Sequence, residues 1–573
     1  LNDESVTSIK IDDGSIVDAD INASAAIAGS KITPVFSIDG TFNGLTIGKG
    51  ANSVSDNTVL GLQALDAAVT GNFNTAIGKF TLSANTSGNS NVAVGRHALV
   101  NNTTGGSNIG IGANSLANNT TANENTAIGN GALSTVSTGT RNTAVGANSL
   151  QLNTTNNNAA FGYNTLKDNS TGTQNTAVGT YALKENETAN NNTAVGYNAL
   201  FSNLTGFENV AVGSQALDAN DAGDKNTAVG FNALTTTSST DGNTAVGHSA
   251  LLHSAADNNT GIGSQTLYKN TTGGQNTAVG VGAMYQNQTG AFNTALGVNA
   301  LRESTVSNNT ALGWNAVRYN TTGTFNTGIG HEAVLANTTA SYNTGLGYRA
   351  LRGTTTGDSN VAVGYNALVN NITGGQSVAV GFEALTNNTQ GALTAFGYKA
   401  LRANSTGVYN TAVGYNALLN NTTAERNTAV GNGVLGANTT GTSNTAVGTF
   451  ALDANTTANY NTAVGSSALT TNTTGANNTA LGTFALQSNT TANNNTAVGY
   501  YSLLSNTTGH SNVAVGYQSL DANIDGDYNN ALGYGALTAN ISGGGNLALG
   551  YLSMASTTTG GSNTAVGHLS LDA

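Results

Sequence analysis

Residues Asn410 to Arg426 read NTAVGYNALLNNTTAER, and almost everything after residue 57 is a variant of this unit. Further copies open at Asn427, Asn444 and Asn461, each 17 residues after the one before. Self-similarity at a fixed period of this size is typical of a solenoid, in which each repeat forms one coil against its neighbours. The period therefore predicts an all-β fold, a parallel β-solenoid.

The array contains about 31 copies. Four of them, which open at residues 142, 243, 293 and 377, have 16 residues because one is missing from the polar turn. Since adjacent strands lie ~4.8 Å apart, the array should form a rod roughly 150 Å long.

Each unit can be numbered from its first Asn, so that positions 1 to 4 (Asn-Thr-Ala-Val) resemble a short strand. Side chains alternate across a strand, which places positions 2 and 4 on one face and position 3 on the other. Position 4 is always Val, Ile, Leu or Phe, as in Val413, and position 9 is nearly always Leu, as in Leu418. We therefore expect positions 4 and 9 to form the core of each coil.

Three other positions carry information of a different kind. Position 3 is almost always Ala or Gly, which are poor strand formers, so something should pack closely against it: either the opposite wall of a flattened coil or a neighbouring chain. Gly at position 5, as in Gly414, predicts a left-handed backbone corner. Asn at position 1 predicts an amide ladder between coils.

Composition excludes several classes of function. Only 8% of the 573 residues are charged, and there are 74 glycines, one proline and no cysteine, which fits neither an ordinary globular domain nor a disordered chain. The net charge of −12 argues against nucleic acid or an anionic membrane surface as partner. No apolar run approaches the ~18 residues that span a bilayer, so membrane insertion is not expected.

The N-terminal part differs from the array. Residues 1–43 are non-repetitive and more acidic, and we interpret them either as an attachment, capping or assembly region or as a flexible leader. Gly44 to Gly48 resembles a degenerate first coil, so the solenoid array is predicted over residues 44–573. The sequence begins with Leu1 rather than Met, which fits removal of a signal peptide or a partial chain.

Aromatic residues recur at position 6 in consecutive coils. Their flat faces could bind the sugar rings of a glycan, or the rings could simply stack on one another and stabilise the rod. The residues are Tyr348, Tyr365, Phe382, Tyr398, Tyr415, Tyr500, Tyr517, Tyr534 and Tyr551.

One turn, DANIDGD, resembles the start of a calcium loop. Its candidate ligands are Asp521, Asn523, Asp525 and Asp527. The twelfth position of the loop is Leu532 instead of the usual Glu, so a solvated turn is the alternative. No other cofactor is expected. No nucleophile elbow or pair of catalytic carboxylates stands out, and we do not expect an enzyme.

Repeats of the form NTAVGYNALxxNTTG are similar to those of phage tail-fibre-like proteins, and the AVGxxAL core resembles the repeat of trimeric autotransporter adhesin heads. This resemblance covers about residues 44–573. It implies a left-handed parallel β-roll, three chains side by side, and adhesion to a surface. It also makes position 3, as in Ala412, Ala429 and Ala446, a candidate inter-chain face.

Three functions remain open from the sequence. The first is an extracellular adhesive or structural fibre, trimeric or polymerised end to end, with cell-surface glycans as possible ligands. The second is a phage tail fibre that binds a host receptor. The third is an ice- or surface-binding solenoid; it ranks last because the paired threonines lie in the turn, where they need not share a flat face.

Overall fold

The computed structural model describes residues 40–42 and 44–572. It confirms the predicted fold class: the chain is an all-β parallel β-solenoid of about 30 turns with a 17-residue period. Most of the predicted N-terminal region, residues 1–39 and residue 43, lies outside the described residues. The chain divides into two compact units, Leu1–Ala144 and Val145–Ala573, which are described separately.

The described part of the first unit begins with an antiparallel arrangement. Strand β1 pairs antiparallel with β2, and β2 pairs antiparallel with β3, after which the pairing is parallel. The prediction of a degenerate first coil at Gly44 to Gly48 is therefore wrong: this segment is a hairpin strand. A short 3-10 turn, Ala51–Ser53, separates β2 from β3. The strands are β1 Gly40–Phe42, β2 Leu45–Gly48, β3 Thr58–Leu60, β4 Thr75–Ile77, β5 Val92–Val94, β6 Ile109–Ile111 and β7 Thr126–Ile128, with β8 Thr143–Val145 at the boundary between the units.

The second unit contains one strand of three residues per coil, and neighbouring strands pair parallel and in register. Thr411, for example, pairs with Thr428, and Ala412 with Ala429. The strands are β9 Ala159–Phe161, β10 Thr176–Val178, β11 Thr193–Val195, β12 Val210–Val212, β13 Thr227–Val229, β14 Thr244–Val246, β15 Thr260–Ile262, β16 Thr277–Val279, β17 Thr294–Leu296, β18 Thr310–Leu312, β19 Thr327–Ile329, β20 Thr344–Leu346, β21 Val361–Val363, β22 Val378–Val380, β23 Thr394–Phe396, β24 Thr411–Val413, β25 Thr428–Val430, β26 Thr445–Val447, β27 Thr462–Val464, β28 Thr479–Leu481, β29 Thr496–Val498, β30 Val513–Val515, β31 Asn530–Leu532, β32 Leu547–Leu549 and β33 Thr564–Val566.

Backbone hydrogen bonds join the coils in the turns as well as in the strands. The Thr411 N–H donates to the Asn427 carbonyl of the following coil at 2.8 Å. In the turns, the Leu418 N–H donates to the Val434 carbonyl at 3.0 Å, again in the following coil. Because most backbone N–H and carbonyl groups of a 17-residue coil bond to another coil, they find hydrogen-bond partners without long strands.

The core of a coil is formed by positions 3 and 9, and not by positions 4 and 9 as we expected from the sequence. Ala412 and Leu418 are fully buried, whereas Val413 is only half-buried, so the prediction that position 4 belongs to the core is wrong. Position 3 faces inward instead, and a Cβ built on Gly110 would lie 3.4 Å from the Leu99 side chain of the preceding coil. Only a small residue fits opposite Leu at this distance. Of the two explanations for the small residue at position 3, packing against the opposite wall of the same coil is therefore correct.

Two ladders of buried asparagine run beside this apolar core. At position 1, the Asn427 N–H donates to the Asn410 side-chain oxygen at 2.9 Å, which confirms the predicted ladder. At position 12, the Asn421 side-chain amide donates to the Asn404 side-chain oxygen at 2.8 Å. Within one coil, the amides of Asn410 and Asn421 both donate to the Ala424 carbonyl, at 2.7 and 3.2 Å. The second ladder was not predicted, because this Asn was assigned to a solvated turn.

The predicted glycine corner is also present. Gly414 has φ +137°, and a Cβ built on it would lie 2.1 Å from the Gly431 carbonyl oxygen of the next coil. Both the backbone conformation and the close approach of two chains therefore exclude a side chain at position 5.

We predict that Asn421→Ala lowers the local stability of its coil by about 1–3 kcal/mol, because the Ala424 carbonyl and neighbouring amides lose a buried partner. Hydrogen exchange of peptides from residues 404–438 measures the effect. Asn420→Ala, in the same turn but exposed, is the control and should change exchange little. Equal exchange in the two variants would contradict the role of the ladder.

Gly414→Ala should destabilise the solenoid by about 1–3 kcal/mol, because alanine is strained at this φ and meets the next coil. The matched control is Gly560→Ala at position 15, where a Cβ would lie 3.3 Å from its nearest atom, the Asn563 side-chain nitrogen, and where other coils carry Ala424 and Ala458. Thermal unfolding followed by circular dichroism compares the variants. A Gly414→Ala protein that melts with the control would show that the corner tolerates a side chain.

Candidate functional site

One surface feature runs through every strand of the second unit. We call it the outward sheet face and define it as the side chains of positions 2 and 4 in β9 to β33. Position 2 is mostly Thr or Val and position 4 is Val, Ile, Leu or Phe. Many of these apolar side chains are exposed, for example Leu346 at 43% and Phe396 at 55%. No strand from β9 to β33 contains a charged residue.

This face is unusual for a surface in contact with water. Monomeric soluble proteins rarely expose a contiguous apolar patch larger than a few hundred Å², and larger patches mark interaction sites. Here the same two columns repeat through every strand of the unit, in register. Covering them would contribute about 25 cal/mol for each Å² of apolar surface removed from water.

The inter-chain assignment made from the resemblance falls on the wrong side of the strand. Ala412, Ala429 and Ala446 are all 0% exposed within a single chain, so a second chain cannot contact their side chains. Their small size is explained by the narrow interior of the coil. If chains meet through the sheet, they must meet through positions 2 and 4.

The aromatic residues at position 6 stack on one another. Tyr348 and Tyr365 have ring centroids 5.2 Å apart and planes within 7°, and Tyr398 and Tyr415 are 5.1 Å apart and within 6°. One stack comprises Trp314, His331, Tyr348, Tyr365, Phe382, Tyr398 and Tyr415, and another comprises Tyr500, Tyr517, Tyr534, Tyr551 and His568.

Stacking has a direct consequence for the glycan hypothesis. A ring between two others uses both faces on its neighbours and presents only its edge to solvent. Sugar rings stack on aromatic faces, so the interior rings of these columns are poorly suited to bind them. Ring-on-ring stabilisation, the alternative considered from the sequence, agrees with the observed geometry.

The candidate calcium ligands do not converge. Asn523 is fully buried in the position 12 ladder, where its amide donates to the Asn506 side-chain oxygen at 2.7 Å. Asp525 is exposed, and Asp527 accepts the His510 N–H of the preceding coil. Asp521 accepts the Thr538 hydroxyl of the next coil. The calcium prediction is therefore wrong: Asn523 points into the core, and among the described residues no group of three or more acidic or histidine side chains could hold a metal ion.

Half-buried aspartates occur at position 10 of three coils. Burial raises the pKa of Asp218 from 3.8 to about 6. Burial also raises the pKa of Asp453 and of Asp521. These carboxyl groups lie far apart in the sequence and are not assembled into one site.

No protein-family model matches this chain, and no curated protein or solved structure matches it significantly. Among the residues that the structure describes, no helix has the length and apolar character needed to cross a membrane.

The outward sheet face is the feature that the sequence analysis missed, although a signal for it was present. Assigning position 4 to the core removed its apolar residues from the surface. Position 3 could have shown that its small side chain faces inward, because only a narrow interior restricts a strand residue to Ala or Gly. The larger side chain of position 4 then has to face outward. The threonines of position 2, as in Thr411, then share the outward sheet face with Val413.

We predict that Asp218→Asn stabilises the protein at neutral pH and that the gain disappears in acid. The folded-state pKa of about 6 exceeds the unfolded value near 3.8, so stability falls as the pH rises between these values and is then constant. Melting temperatures at pH 4, 5 and 7 should show the difference between variant and wild type growing with pH. The exposed Asp221→Asn is the control; a difference independent of pH would contradict burial as the cause.

Proposed function

We propose that this protein is an extracellular structural or adhesive fibre whose chains associate side by side through the outward sheet face. The observation that carries the proposal is the uncharged, partly exposed face formed by positions 2 and 4 through β9 to β33. Depletion of charge and enrichment of apolar residues are the features of the centre of an interface between chains.

The bonding between coils also suits a long fibre. Each coil is bonded to its neighbours through the backbone and through two asparagine ladders, as at Asn410 and Asn421. Twenty-five consecutive strands, β9 to β33, give the second unit a length on the order of 100 Å. A long, regular unit of this kind is suited to spanning distance and presenting a surface.

The assembly we propose is a trimer, the arrangement implied by the resemblance to adhesin heads. Three outward sheet faces turned toward a common axis would remove the apolar columns from water. Neighbouring genes would distinguish the two settings, because secretion genes would accompany a cell-surface fibre and tail genes a phage fibre.

Binding to ice or another ordered surface is a second candidate function. One observation favours it more than the sequence did. Thr411 and Thr428 lie on the outward sheet face, in register, and not in the turn. A regular column of hydroxyl and methyl groups beside a column of valines could order water. Thermal hysteresis from a monomeric wild-type protein would favour this function over the fibre.

The double variant Val413→Lys, Val430→Lys should convert the wild-type oligomer to monomer, because an interface that covers these positions would bury unpaired charges. Size-exclusion chromatography with light scattering measures the mass, and circular dichroism checks the fold. Thr423→Lys with Thr440→Lys, at an exposed turn position, is the matched control and should remain oligomeric. A wild-type monomer, or a lysine pair at 413 and 430 that leaves the mass unchanged, would contradict the proposed interface.

A further inference from the structure

A groove in the second unit, which we call the tyrosine groove, lies between Tyr342 and Tyr409 and has a volume of about 650 Å³. Both tyrosines occupy position 17, the last residue of their coils. The three coils between them carry smaller or more flexible side chains at this position, Ser359, Gln376 and Ala392. The coil that opens at residue 377 is one residue short in its turn, and this shortening coincides with the groove.

The two tyrosines form the end walls. Tyr342 stacks on Phe325 of the preceding coil, with centroids 5.3 Å apart and planes within 4°. Tyr409 has the Arg426 guanidinium of the following coil 5.9 Å from its ring centroid. Each ring thus has its outer face covered, while its other face is directed toward the groove. Tyr342 is 60% exposed and Tyr409 is 61% exposed.

The floor of the groove is bare backbone. Gly375 and Gly391 line it, and a Cβ built on Gly391 would lie 2.3 Å from the Gly375 carbonyl oxygen. With four coil spacings between the tyrosines, the groove is roughly 19 Å long. It is therefore long enough for several sugar residues and is open to solvent along its length.

Polar groups line the sides of the groove. They include Asp358, Ser359, Gln376, Thr356 and Thr373, and Asp358 is the one charged residue among those that line it. The Asp358 carboxylate is held in place because it accepts the Ser341 N–H at 2.6 Å. The groove thus combines two available aromatic faces with hydroxyl, amide and carboxylate groups between them.

We propose that the tyrosine groove binds a neutral oligosaccharide. A sugar ring has an apolar face that can stack on Tyr342 or Tyr409 and hydroxyls that can bond to Asp358, Gln376 and the threonines. The Asp358 carboxylate disfavours acidic sugars. This inference deepens the adhesive function proposed above, on which it rests for its biological meaning, and it places sugar binding at position 17 and not in the position 6 columns.

Isothermal titration calorimetry of the full chain with cellohexaose, chitohexaose and maltohexaose tests the proposal. We expect at least one hexasaccharide to bind. Tyr342→Ala and Tyr409→Ala should each weaken binding about three- to tenfold, the range expected for loss of one aromatic contact.

Two further variants separate sugar binding from damage to the fold. Ala392→Tyr should weaken binding at least as much as Tyr409→Ala, because the new ring would stack on Tyr409, cover its available face and shorten the groove by one coil spacing. The last position of other coils already holds tyrosine with positive φ, as at Tyr409, and Ala392 has φ 59°. Tyr460→Ala is the matched control: Tyr460 occupies the same position, is 63% exposed and does not line the groove, so binding should be unchanged.

Failure of the wild type to bind any of the three hexasaccharides would overturn the proposal. So would full binding by Ala392→Tyr, or an equal loss in Tyr460→Ala. Light scattering on the same samples reports self-association independently. An intact oligomer without sugar binding would overturn the groove assignment alone, whereas sugar binding by a monomer would overturn the proposed interface and leave the groove assignment in place.

Discussion

The structure depends on one constraint: each coil must satisfy its polar groups through the coils next to it. A 17-residue coil with a three-residue strand pairs few of its backbone groups internally, such as the Asn421 N–H with the Leu418 carbonyl, so most of its N–H and carbonyl groups bond to neighbouring coils. The buried amides of Asn410 and Asn421 obey the same rule, because each combines a bond between coils with one to the Ala424 carbonyl. A buried amide without a partner lowers the stability of the fold by about 1–3 kcal/mol. The asparagines are therefore as necessary to the coil as the buried leucines.

This constraint also determines which residues face the solvent. Two asparagine ladders, Leu418 and the glycine corner leave room inside the coil only for Ala412 on the strand. The larger Val413 must then face outward, together with Thr411. An apolar sheet face is therefore a consequence of a small, polar-lined interior, and the lateral association proposed above would remove it from water.

The sequence predicted the fold where a single position had one physical explanation. The period predicted the solenoid, Gly414 predicted the corner, and Asn410 predicted an amide ladder. Prediction failed where the inward face of the strand had to be chosen. Val413 and Ala412 lie on opposite faces, and the greater hydrophobicity of Val413 led to its assignment to the core. It failed again at Asn523, because the same residue fits both a calcium-loop motif and the position 12 ladder. Only the inward direction of its side chain, seen in the structure, distinguishes the two.

Departures from the repeat are where recognition can arise in such a chain. A position that is identical in every coil yields a uniform surface, which can support association along its whole length but cannot distinguish one ligand from another. The tyrosine groove exists because three coils between Tyr342 and Tyr409 lack an aromatic ring at their last position, and one of those coils is also shortened. At this coil Ser377 and Leu393 interrupt the position 1 asparagine ladder. The strands nevertheless stay in register, with Val378 paired to Thr394, so a shortened turn does not disturb the stacking of the coils. Changes in single coils can thus alter the surface of a solenoid while its strand pairing stays intact.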